Sequence, residues 1–93
     1  MDTNALYEEA MESLNRLGVE VRQEHLGGEG GGCCTIKGRR VVFVDLDAGV
    51  RRRLECCVER LRGLAEVEAM YLSPALRNLI EGIEAESDQT SKG

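Results

Sequence analysis

Leu6, Ala10, Met11, Leu14 and Leu17 recur at intervals of three and four residues, which lays one apolar stripe along a helix from Ala5 to Leu17. Thr3 or Asn4 stands where a cap is needed and Gly18 where a stop is needed. Glu8, Glu9 and Glu12 fall toward the end that the helix dipole favours for acids. The period then changes to two. "VEVRQE" from Val19 alternates apolar and charged residues and predicts a first strand. His25 to Gly32 has no period and too much glycine for an element, so it predicts a flexible loop, longer than a simple hairpin turn needs.

"CCTIKGRRVVFVDL" predicts two strands around a tight turn, because Gly38 can adopt the positive φ that two-residue hairpin loops require. Alternation puts Cys34 and Ile36 on one face of the first arm and Val42, Val44 and Leu46 on one face of the second. Val41 and Phe43 then lie on the opposite face, where a solvated sheet would carry polar residues. Either a helix covers that face or a partner chain meets it. Asp47 is placed to cap a second helix whose stripe is Val50, Leu54, Cys57, Val58, Leu61, Leu64 and Ala65. "VEAMYL" reads as extended or irregular. Ser73 followed by Pro74 is a specific helix start, and Leu76, Leu79, Ile80 and Ile83 supply the buried stripe of a third helix.

The order is helix, three strands, helix, helix: an α+β fold with an antiparallel three-stranded sheet. It forms one domain over residues 1–86, and the polar end "SDQTSKG" from Ser87 to Gly93 is expected to be disordered. Ninety-three residues suffice for a single core. No apolar run approaches the roughly 20 residues that cross a bilayer, so no membrane is expected. The acidic start "MDTNALYEEAMESL" lacks the pattern of a secretory signal, which points to a cytoplasmic protein. A net charge of −5 argues against general affinity for nucleic acid. The three aromatic side chains, Tyr7, Phe43 and Tyr71, leave little on which bases could stack.

The chemistry-bearing residues crowd into "HLGGEGGGCCTIKGRRVVFVDLD". Adjacent cysteines, Cys33-Cys34 and Cys56-Cys57, point apart on a strand or a helix, unlike the spaced ligands of a zinc site. Cys34 and Cys57 are expected in the core and Cys33 and Cys56 at the surface. His25 could act as a base toward a Cys33 nucleophile, although no third group orients the pair. "GGEGGG" leads into a strand and not into a helix N-terminus with its Lys, so it is no phosphate cradle. Asp45 and Asp47 share one side of a strand end, as some magnesium ligands do. Arg51, Arg52 and Arg53 stand in the first turn of a helix, where the dipole disfavours them, and mark a possible anion or partner contact unless Asp45, Asp47 and Glu55 neutralise them.

The glycine-rich lead, the cysteine hairpin and the closing "YLSPALRNLIEGIE" resemble small bacterial proteins of unassigned function, a resemblance that implies no activity. The hairpin followed by a helix is also similar to the core of zinc-dependent peptidases, whose helix carries His-Glu-x-x-His. Here that motif falls on Leu54, Glu55, Cys56, Cys57 and Val58, so only the glutamate matches and the resemblance implies the scaffold without the site. The expectation is a non-enzymatic interaction or regulatory module of unknown protein partner, self-associating as a homodimer through Val41 and Phe43, with no cofactor. The alternative is a small thiol- or metal-dependent enzyme using His25, Cys33 and the Asp45/Asp47 carboxylates.

Overall fold

The computed structural model describes residues 2–29 and 31–82. Helix α1 (Thr3–Arg16) is followed by strands β1 (Glu20–Glu24), β2 (Gly32–Ile36) and β3 (Arg39–Asp45) and helices α2 (Val50–Arg62) and α3 (Pro74–Glu81). The α+β class is as the periodicity predicts. A 3-10 helix over Ala65–Ala69 occupies the stretch after α2. Ile83, the end of the domain at residue 86 and the tail from Ser87 lie outside the described residues. Among those described, no helix is long and apolar enough to cross a membrane.

The caps show which polar groups take up the helix ends. The Asp2 carboxylate, and neither Thr3 nor Asn4, accepts from the Ala5 N–H at 2.7 Å. Ser73 Oγ accepts from the Leu76 N–H, with Pro74 at the first helical position, as expected for α3. Glu9 reaches across from α1 to accept from both the Ser73 N–H and its hydroxyl, at 2.8 and 2.6 Å, tying α1 to the start of α3. At the far end of α3, the Arg62 guanidinium donates to the Ile80 and Leu79 carbonyls of the last turn, where helix carbonyls run out of intrahelical donors. The N-cap of α2 is Gly49, without a side-chain cap. Asp47 is committed elsewhere.

The sheet is mixed, where an antiparallel sheet was expected. Its order is β1-β3-β2, with β1 parallel to β3 and β2 antiparallel to β3. The reason lies in composition. β3 carries the valines that are buried on both of its faces, Val41, Val42 and Val44, so it takes the centre, while β1 and β2, with no run of large aliphatic side chains, take the edges. The chain runs out along β1, crosses the end of β3, returns along β2 and turns again, so β1 and β3 run the same way. Lys37 and Gly38 form the hairpin turn, both with positive φ (51° and 80°), the conformation that matches the twist of the strands it joins.

Helices α1 and α2 cover one side of the sheet, α2 against β3 and α1 against β1, and α3 packs on both helices. Leu14, Val19, Val42, Val44, Leu54, Cys57, Leu61 and Leu76 form the centre of that core. Burying each such aliphatic side chain contributes roughly 1.5–3 kcal/mol against the conformational entropy of ordering it.

Candidate functional site

Two aspartates at the end of β3 organise the crossing segment. Asp45 is only 1% exposed. Its carboxylate accepts from the backbone N–H of Leu26 (2.9 Å), Gly28 (2.6 Å) and Asp47 (2.9 Å). Asp47 accepts from the Gly27 N–H at 2.9 Å and lies 2.8 Å from His25 Nδ1. The imidazole, and then the Gly27 amide, hold its carboxyl below the ordinary carboxylate range. The segment expected to be a flexible loop is therefore laced to the strand end it crosses. Gly27 and Gly28 take the positive φ that this path demands. A Cβ on Gly31 would collide with the Phe43 carbonyl, so the chain passes β3 where only glycine fits.

This geometry separates the residues of the enzymatic alternative. His25 is paired with Asp47 at the end of the sheet, whereas Cys33 lies opposite Val42 on the flank of α2. Asp45 and Asp47 spend oxygens on the crossing loop, and Asp47 is not the α2 cap that the sequence suggested. Among the described residues, no group of three or more His, Cys, Asp or Glu side chains converges to hold a metal ion.

The three arginines divide. Arg53 donates to the carbonyls of Ala48 and Leu46, both at 3.0 Å, and its guanidinium lies 5.9 Å from the centre of the Tyr7 ring. It fastens the turn from β3 into α2. Arg51 and Arg52 are exposed and approach Glu55 at 3.7 and 3.9 Å. Of the three acids expected to balance this cluster, Glu55 does so on α2, while the interactions of Asp45 and Asp47 described above serve the loop. Glu55 is the glutamate of the peptidase-like alignment, and the two positions where that motif has histidine, Leu54 and Val58, are buried in the core.

The cysteines also divide, differently from expectation. Cys57 is buried as expected, and burial, with Cys56 and Cys33 nearby, pushes its thiol up to about 12. Cys56 is half-buried, its thiol donating to the Phe43 carbonyl at 3.6 Å, and burial raises its pKa. Cys33 is exposed as a residue, and partial desolvation of its thiol, on the helix side of β2, raises its pKa. Cys34 is exposed, not a core residue. It sits on β2 opposite Val41, on the side of the sheet away from the helices. Side chains alternate along β2 as the sequence pattern implies, but the helices pack against the other face.

That uncovered face holds the expected interface residues. Val41 is already 1% exposed, flanked by Glu20 and Cys34 in the sheet register, so it has nothing further to bury. Phe43 is half-buried, with the Arg22 guanidinium 5.7 Å from the ring centre. Arg22 is itself held by Glu20 at 2.7 Å. On the same face Ile36 is 37% exposed, and all of β2 from Gly32 to Ile36 is exposed. The pattern along the chain points to Val41 and Phe43 for this face, and the structure adds Gly32, Cys34 and Ile36 from the uncharged edge strand. No protein-family model matches the chain, and neither do the curated protein sequences or the solved structures compared with it.

Proposed function

We propose that this chain is a non-enzymatic interaction module that acts as a homodimer and, in that form, binds or regulates a protein partner. One observation carries the reading: the sheet is covered on one side only, and its uncovered side bears a half-buried Phe43 beside exposed Ile36 and Cys34, next to an uncharged edge strand. Charged groups, proline or a covering segment guard most sheet edges. A symmetric dimer is the commonest way to bury such a patch. A cytoplasmic setting belongs to the same proposal and suits four free thiols.

The thiol or metal enzyme has less support. His25 and Cys33 belong to separate neighbourhoods, and Asp45 is engaged by backbone amides. Sedimentation equilibrium at micromolar concentration tests the dimer. The wild type should sediment as a dimer, and Phe43→Glu should move it toward monomer with the helical circular-dichroism signal retained. A wild type that remains monomeric at every concentration would refute the reading.

A further inference from the structure

The free edge of β2 has a definite hydrogen-bonding parity. The Lys37-Gly38 turn closes on Ile36 and Arg39, which form the hydrogen-bonded pair of a two-residue hairpin. Pairs alternate along an antiparallel ladder, so Cys34 with Val41 and Gly32 with Phe43 have the same character. The backbone N–H and C=O of Cys33 and Thr35 therefore point away from β3, toward solvent. No charged side chain and no proline within Gly32–Ile36 guards them.

We infer that two copies join edge to edge through β2, antiparallel, in the register that sets Cys34 opposite Cys34 of the second copy, so that two three-stranded sheets become one. This inference rests on the homodimer reading above and names its contact. In this register Cys33 of each copy faces Thr35 of the other, which pairs all the outward groups of both residues. Cys34 then meets its counterpart across the two-fold axis as a non-hydrogen-bonded pair, with Cα atoms about 4.5 Å apart.

Charge and shape select this arrangement. Glu29 precedes β2, and Lys37 and Arg39 follow it, all exposed. Antiparallel pairing brings the acidic start of each strand toward the basic end of the other, whereas parallel pairing would set Lys37 against Lys37. Ile36 of one copy falls opposite Gly32 of the other. The space beside Gly32 is open, since a Cβ there would meet nothing within 4 Å. Next to Gly32, on the same face, stands Phe43. Ile36 of each copy thus reaches over a glycine onto the half-buried phenylalanine of the other, which explains why this exposed isoleucine and half-buried ring share an uncovered face.

Two measurements on the full chain test the register. In a Cys33→Ser/Cys56→Ser background, where buried Cys57 stays unreactive, glutathione disulfide is the oxidant. One Cys34 thiolate displaces a glutathione thiolate to form a mixed disulfide, and Cys34 of the second copy displaces the other, releasing two glutathiones per bridge. Most of the chain should become covalent dimer, and Cys34→Ser should abolish the bridge. In parallel, Gly32→Lys, which has room in the single chain, places a cation beside Lys37 and Arg39 of the second copy. It should raise the dimer dissociation constant at least about tenfold with an unchanged circular-dichroism spectrum. A sedimenting dimer that does not bridge at Cys34 and ignores Gly32→Lys would overturn the register and leave the homodimer standing; a chain monomeric at all concentrations would overturn both.

Discussion

Residues 25–31 and 32–36 adjoin in the chain and are exposed wherever they are described, yet they differ in how their backbone groups are satisfied. In the crossing segment, the amides of Leu26, Gly27 and Gly28 donate to carboxylates that β3 and the turn after it supply. In β2, the inner groups pair with β3 and the outer groups of Cys33 and Thr35 face solvent. A glycine-rich stretch that looks loose is thus anchored, and a strand that looks regular is only half used. Exposure alone does not distinguish the two. What distinguishes them is the destination of the hydrogen bonds.

The sharpest way to break this contrast is to remove the anchor. Asp45→Ala leaves the Leu26, Gly28 and Asp47 amides without their acceptor and is expected to cost roughly 2–4 kcal/mol, since an orphaned buried polar group loses about 1–3 kcal/mol and part of the loop can turn to water. Urea unfolding followed by circular dichroism measures it, and a loss no greater than for an average surface change would mean that the loop is held by something else. Gly31→Ala comes next. Its methyl group meets the Phe43 carbonyl, so β3 or the loop must shift, at about 1–3 kcal/mol. Gly32→Ala, one residue along, should be close to neutral in the isolated chain because its added carbon meets nothing.

The cysteines differ by the face they occupy. Cys57→Ser places a hydroxyl in the core and should lower stability by about 1–3 kcal/mol, whereas Cys34→Ser on the uncovered face should change monomer stability by less than about 0.5 kcal/mol. Thermal unfolding at a concentration that keeps the chain monomeric compares them. Cys57 also sets an alkaline limit. Its pKa is raised from 9.0 to about 12 in the fold, so the stability tied to its neutral form is complete below pH 9 and is lost as pH rises toward 12. Cys57→Ala should flatten that alkaline limb.

The smallest expected effect is at the exposed end of the anchor. Asp47 has its pKa lowered from 3.8, so its contribution is present above 3.8 and is lost as pH falls through its lower value in the fold. Asp47→Asn should leave stability at pH 7 only slightly changed and flatten its decline below pH 3.8. An acid limb identical to that of the wild type would show that the pairing with His25 and Gly27 contributes nothing in solution.

Much of the architecture is legible in the chain because short-range physics decides it. The helical stripe of α2, Ser73 with Pro74 at the start of α3, and glycine in a hairpin turn each act within a few residues, and each element appears at its signal, although α2 stops at Arg62, before the Leu64 and Ala65 of its expected stripe. Asp47 shows the limit of such reasoning. It has the right residue type and position for a cap, but His25 and Gly27, 22 and 20 residues earlier, compete for the same carboxylate and win. No local pattern carries that outcome.

The alternation of β2 and β3 is local: Cys34 and Ile36 on one arm and Phe43 and Val41 on the other each keep to a single side of their strand, because side chains on a strand alternate whatever the strand pairs with. Which strand lies in the middle, which face the helices cover and whether a carboxylate caps a helix or holds a loop were decided only in the tertiary structure. Those choices compare distant segments competing for the same apolar surface and the same hydrogen-bonding groups. The strand buried on both faces took the centre, and this put the crossing loop over the end of β3 and left the edge of β2 open.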